Sequence, residues 1–197
     1  LDKERDAAEI ADLRAKQAQI KALPRAITPV AIPLTDNLPA RALVDPLARV
    51  RFDADGLGPR EWTWITPEAG WLVYDADGRG TITSALQWFG NVTFWLFWSN
   101  GYEPMRALDD NADGELSGPE LRYLAIWHDR NRDGVSDVGE VRPLESRGIV
   151  ALSCRYLEGD GKRFAAFSPR GVRFIDGSTR PTYDVILSHS SSTWTRR

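Results

Sequence analysis

The sequence predicts an α+β domain. Acidic twelve-residue loops are set around short helices, packed with a small antiparallel β-sheet of hairpins and preceded by an N-terminal helix and an extended arm. Three observations carry this expectation. Residues 3–23 combine helix-forming composition with a narrow apolar stripe. Residues 109–140 hold two acidic loops of matching spacing. Residues 149–187 alternate short apolar runs with aspartate–glycine and proline–glycine turns.

The first of these, KERDAAEIADLRAKQAQIKAL, places Ile10, Leu13, Ile20 and Leu23 on one side of a helix of about five turns, at 3.6 residues per turn. Pro24, Pro29, Pro33, Pro39 and Pro46 then make residues 24–49 too proline-rich for a helix, and Ile27–Leu34 is expected to run extended as part of an arm. The compact domain is expected to begin near Val50, so that removing residues 1–46 would leave it folded. Residues 50–148 form the loop-bearing region, with candidate strands at Glu61–Ile65 and Gly70–Tyr74. Residues 149–187 supply hairpins from Ile149–Leu157, Phe164–Phe167, Val172–Ile175 and Thr182–Leu187, separated by EGDGK, SPRG and DGSTRP turns, and 188–197 is a polar tail.

Composition narrows the chemistry. With 42% hydrophobic and 27% charged residues the 197-residue chain can bury a core, and its longest apolar stretch, Val92–Trp98, falls far short of the roughly 18 residues of a spanning helix. One cysteine, Cys154, and two histidines, His128 and His189, leave no internal disulfide and no cluster for zinc, haem or iron–sulfur ligation. Nothing in the residues resembles a catalytic set, and there is no glycine-rich phosphate loop or basic aromatic stripe for nucleic acid. The first residue, Leu1, leaves room for a signal peptide or membrane anchor upstream.

The acidic loops are the informative text. Residues 109–120, DDNADGELSGPE, fit D-x-[DN]-x-[DN]-G-x5-E with Asp109, Asn111 and Asp113 at the first, third and fifth places, Gly114 at the sixth and Glu120 at the twelfth. The Glu115 carbonyl and a water held by Ser117 would complete an oxygen shell for calcium, a hard cation wanting six to eight oxygens. Residues 129–140, DRNRDGVSDVGE, repeat the pattern with Asp129, Asn131, Asp133, the carbonyl of Val135, Asp137 and Glu140. Nine carboxylates against two arginines in these 24 residues would repel one another without a cation. Two calcium ions are therefore expected, one per loop.

Degenerate copies begin at Asp53 and Asp75, where Leu57 and Arg79 hold the fifth place and Trp64 and Leu86 the twelfth. They are expected to keep the backbone shape without the ion. The two complete loops start 20 residues apart, so a single short helix, Pro119–Trp127, should serve both. Loop one should pair with the loop at Asp75, bringing Ile82 beside Leu116. Of the eight tryptophans, Trp127 should pack beneath loop two, and the WFGNVTFWLFW run reads as core, with a partner surface or a sugar-stacking face as alternatives.

The runs WLVYDADGRGTI, ALDDNADGELSGPELRYLAIWHDRNRDGVSDVGEV and RGIVALSCRY resemble a family of uncharacterised, mostly secreted bacterial proteins with tandem EF-hand-like, DxNxDG calcium-binding loops. The resemblance covers about residues 50–156 and implies calcium binding, not a reaction. The function expected is a non-catalytic, calcium-stabilised extracytoplasmic structural or accessory protein, periplasmic or secreted. It would act as a subunit of a larger, membrane-associated assembly, with protein partners held through the N-terminal helix, the arm and the tail. A tryptophan-dependent carbohydrate-binding module is the alternative, and a hydrolase fragment a more distant one.

Overall fold

The structure, a computed structural model, describes residues 26–189 and, apart from them, Ile10. The helix expected at 3–23, apart from Ile10, and most of the polar tail lie outside the described residues.

The α+β expectation is overturned: the domain is mostly β, a curled antiparallel half-barrel. Eleven strands are formed: β1 Val30–Pro33, β2 Val44–Phe52, β3 Arg60–Ile65, β4 Ala69–Tyr74, β5 Glu115–Ser117, β6 Leu124–Trp127, β7 Val141–Pro143, β8 Ile149–Ser153, β9 Leu157–Glu158, β10 Phe164–Phe174 and β11 Thr179–Val185. Within 26–189 the only α-helix is α1, Tyr102–Arg106. Nine strands make one sheet in the order β5-β8-β10-β11-β1-β4-β6-β7 with β9 on β10, while β2 and β3 form a separate hairpin.

The point where the expectation failed is the segment between the two acidic loops. Gly118–Leu121 makes one 3-10 turn, closed by a capping box between Ser117 and Glu120. Arg122 then turns extended at ψ 130° and Tyr123 takes φ +71°, which ends any helix. Leu124–Trp127 emerges as β6, buried at every residue because β4 and β7 flank it and both sheet faces are covered. A short, continuously apolar run carries no period that separates strand from helix.

Alternation sorts the central strands onto two cores. Ala31, Trp71, Val73, Ala125 and Trp127 face the β2–β3 hairpin, which contributes Phe52, Trp62 and Trp64. Val30, Ile32, Leu72, Leu124 and Ile126 face the other way, against Tyr102 and Met105 of α1 and against Leu116, Leu152 and Val172.

Two further expectations are corrected here. Residues 30–33 are extended, as their prolines require, but β1 lies in the middle of the sheet between β11 and β4, fully buried, so the compact domain begins before Val50. The SPRG sequence is no hairpin turn. It is a register shift between Ser168 and Val172 inside one long strand, β10, where Pro169 is tolerated and Gly171 lies against Thr182 with no room for a Cβ.

Candidate metal centre

Aspartates and glycines fix the backbone of the acidic loops before any ligand is considered. In loop one Asp109 Oδ2 accepts the Gly114 N–H at 2.8 Å, and Asn111 Oδ1 and Asp113 Oδ1 accept the N–H groups two residues on, at 2.9 and 2.8 Å. Glu120 closes the loop, its Oε1 taking the Asp110 N–H at 3.0 Å and its Oε2 the Ser117 N–H at 3.0 Å. Loop two repeats each contact: Gly134 N–H to Asp129 Oδ2 at 3.0 Å, Asp133 N–H to Asn131 Oδ1 at 3.3 Å, and Val135 N–H to Asp133 Oδ1 at 2.8 Å. Arg130 N–H reaches Glu140 Oε1 at 2.9 Å and Asp137 N–H reaches Glu140 Oε2 at 3.3 Å.

The degenerate loops adopt the same frame. Gly58 N–H donates to Asp53 Oδ1 at 3.1 Å and Gly80 N–H to Asp75 Oδ2 at 3.0 Å, the counterparts of the Gly114 bond. All four loops hold positive φ at the fourth and sixth places: Gly56 and Gly58, Gly78 and Gly80, Ala112 and Gly114, Arg132 and Gly134. Glycine is present at the fourth place where the oxygen-bearing pattern is broken, and Ala112 and Arg132 take the left-handed backbone cost where it is complete.

The two complete loops differ in their surroundings. Loop one is exposed: Glu115 pairs with Arg173 at 2.8 Å, the Arg155 guanidinium donates to the Asp113 carbonyl at 3.0 Å, and Leu116 pairs with Leu152 across β5 and β8. Loop two is seated in the tryptophan core. Asp129 and Glu140 are 1% and 2% exposed; Trp64 Nε1 donates to Asp129 Oδ2 at 2.8 Å, and Trp127 Nε1 to Glu140 Oε2 at 3.4 Å. Burial pushes the Asp129 carboxyl above its ordinary pKa, and the Glu140 charge adds to the rise. Arg132 pairs with Asp45 of β2 at 2.8 Å, and Gly134 lies so near Val50 and the Arg51 carbonyl that a Cβ would clash.

Loop one does not pair with the Asp75 loop. Ile82 N–H instead donates to Ser136 Oγ at 2.8 Å, joining the eighth places of the Asp75 loop and loop two. Both run alongside β4 and β6, which are neighbours, whereas β5 takes loop one to the far edge of the sheet.

The donor set of each loop is all oxygen and suits a hard cation. Among the described residues no three Asp, Glu, His or Cys side chains are gathered into a metal-holding group as they stand. Their oxygens are occupied by loop amides: in loop two the Asn131 carboxamide N–H donates to Asp133 Oδ2 at 2.9 Å and to Asp137 Oδ2 at 3.2 Å.

Other reactive groups are accounted for. The buried Cys154 thiol is pushed up to about 12, by burial first and then by the charge of Asp109, which leaves it unreactive. His128 Nε2 lies 2.7 Å from the Pro67 carbonyl, and burial lowers its pKa. Sequence reasoning placed Trp127 beneath loop two. It missed Trp64 and Asp45, which reach the loop from 65 and 87 residues away and carry no local signal.

A relative, the "Iron-regulated protein FrpA" of Neisseria meningitidis serogroup C, is 31% identical to this protein over 148 residues, 70% of this chain and 13% of the relative. The chain thus spans about an eighth of that relative's length. The SPM domain family model matches residues 42–188, from the end of the turn before β2 to just beyond β11. Three quarters of the chain lies in that match, and the chain belongs to the SPM domain family.

Proposed function

We infer that this protein is a calcium-stabilised β-module in which loop one and loop two each take one calcium ion. The observation that carries this reading is the buried pair Asp129 and Glu140: two carboxylates in one loop, sunk in an aromatic core, with Arg130 as the nearest cation at 3.7 Å. Like charges in such a setting are costly unless a cation compensates them.

Asp109, Asn111, Asp113, the Glu115 carbonyl, Ser117 through water, and Glu120 would hold one ion. Asp129, Asn131, Asp133, the Val135 carbonyl, Asp137 through water, and Glu140 would hold the other. Calcium, when bound, supplies charge neutralisation and cross-links the two ends of each loop. The chain's own residues do the rest: the aspartate and glycine turns set the loop, Trp64 and Trp127 orient the first and last carboxylates of loop two, and Arg132 ties that loop to β2.

Midpoints between about 10⁻⁶ and 10⁻³ M are expected, and sites toward the weak end of that range fill only where calcium is abundant, which supports an extracytoplasmic setting. The small share of FrpA that the chain spans supports a module working within a larger protein or assembly.

Calorimetric titration of the full chain with calcium tests the reading, with two sites expected. Glu140→Gln should weaken one and spare the other, whereas an absence of binding heat would sink it. The carbohydrate alternative has narrower support: Trp62, Trp64, Trp71, Trp88 and Trp127 are fully buried and cannot stack on a sugar, which leaves it the exposed Trp95 and Phe97.

A further inference from the structure

Asp184 lies in β11 opposite Val30 of β1, fully buried, with neither carboxylate oxygen in a hydrogen bond. Among the described residues no cation offsets it. The polar groups that face it are the Gly101 N–H and the Thr28 hydroxyl, itself buried and unbonded. A buried carboxylate left in this state is costly, and a group retained at that cost is a candidate for a chemical role.

The groups in front of it can react with one another. Of the five asparagines in the chain only Asn100 precedes a glycine, the one residue whose nitrogen is not crowded by a side chain of its own. Asn100 is 5% exposed, and its Oδ1 accepts the Tyr102 N–H at 2.9 Å. That bond folds the carboxamide back over the Asn100–Gly101 peptide and polarises its carbonyl, with a donor already in place where an oxyanion would develop. Packing fixes Gly101 as well. A Cβ there would stand 2.6 Å from both the Phe89 carbonyl oxygen and Val30 Cγ2, and 3.1 Å from Asp184 Oδ1. The close approach of backbone to carboxylate therefore depends on the missing side chain. Burial holds the Asp184 pKa well above its ordinary value, which makes the ionised form a stronger proton acceptor.

We propose that Asn100 and Gly101 close into a five-membered imide within the folded domain, with Asp184 as the base. The Gly101 nitrogen attacks Asn100 Cγ and gives its proton to Asp184. The N–Cγ bond forms, the Cγ–Nδ2 bond breaks, and the proton passes from Asp184 to the departing ammonia. Water can then open the ring at either carbonyl, leaving aspartate at position 100 joined to Gly101 through its α- or its β-carboxyl. The reaction needs no oxidant and no cofactor, and none of its residues belongs to an acidic loop. The ring locks the turn that leads into α1.

Peptide mass spectrometry of the full chain, incubated folded at neutral pH and digested under mildly acidic conditions, tests this. The peptide spanning 100–101 should lose the mass of ammonia, or show the hydrolysed form, and the two products are counted together. Conversion should be slower by about ten-fold or more in Asp184→Asn, which keeps the shape of the side chain and removes the base. It should be slower to the same degree in the parent chain held unfolded in urea, where Asp184 no longer stands beside Gly101; this arm does not depend on the variant folding. Asn37, Asn91, Asn111 and Asn131 serve as internal references and should keep their mass. The proposal is overturned if the 100–101 peptide of the folded parent is unchanged, or if it converts as fast in Asp184→Asn or in urea.

Discussion

Trp64 donates its indole N–H to Asp129 Oδ2 at 2.8 Å, joining the first position of loop two to a strand of the separate hairpin. The bond lies in a core where Trp64 meets Trp71, Trp88 and Trp127 at centroid distances of 5.4 to 5.8 Å. Hairpin, sheet and candidate metal loop therefore meet at one side chain.

Trp64→Phe tests that junction. The ring still fills most of the space, but the buried carboxylate loses its indole donor, and hydrogen bonds to charged groups contribute about 1.5–3 kcal/mol. Chemical denaturation should show a loss of that size. Calorimetry should show weaker binding at one calcium site and no change at the other, because loop one lies at the far edge of the sheet.

Calcium should stabilise without opening the domain. At 100 times the dissociation constant each site adds about 2.7 kcal/mol, so chelator should lower Tm substantially. The chain holds a single methionine, Met105, buried in the second core, and no methionine-lined groove for calcium to expose. Binding of an apolar dye should therefore not rise when calcium is added.

Asp184 sets a pH dependence. Its carboxylate is wholly buried in β11 with neither oxygen hydrogen-bonded, and burial holds its pKa well above the ordinary 3.8; the nearby Gly101 amide and Thr28 hydroxyl offset only part of this. A raised folded value means that the contribution of Asp184 to stability is fully present below pH 3.8 and is lost as pH rises through the folded value. Asp184→Asn removes that loss. The variant should melt higher than the parent at pH 7, with the difference shrinking toward pH 4; equal or lower Tm at pH 7 would contradict the assignment.

Deleting residues 1–34 should unfold the domain. β1 is a central strand, and its removal would leave β11 and β4 with unpaired backbone on facing edges and take Val30, Ala31 and Ile32 from the two cores. Circular dichroism of the truncated chain should show loss of the cooperative transition; a native-like melt would return this segment to the role of an arm.

Legibility followed the range of the interactions. The shape of the loops was readable because the candidate ligands, the turn glycines and the closing glutamate all lie within twelve residues, and the bonds that shape the loop are equally local. Strands such as Arg60–Ile65 and Ala69–Tyr74 showed through their β-branched and aromatic content. The helix expected over Pro119–Trp127 became a turn and a strand because its neighbours in space, β4 and β7, decide its form, and residues 75–123 separate it from the one and loop two from the other. β1 was hidden for a related reason. Prolines that bar a helix are compatible both with a free arm and with a strand, and only pairing with Tyr183 and Trp71 separates the two.

The central claim is that the buried carboxylates of loop two exist to hold calcium, and Glu140→Gln addresses it most directly. Calcium titration of the parent and the variant should give two sites against one, with the thermal stabilisation by calcium reduced in the variant. Identical titrations, or no binding in either protein, would contradict the claim and leave the acidic loops as aspartate–glycine turns.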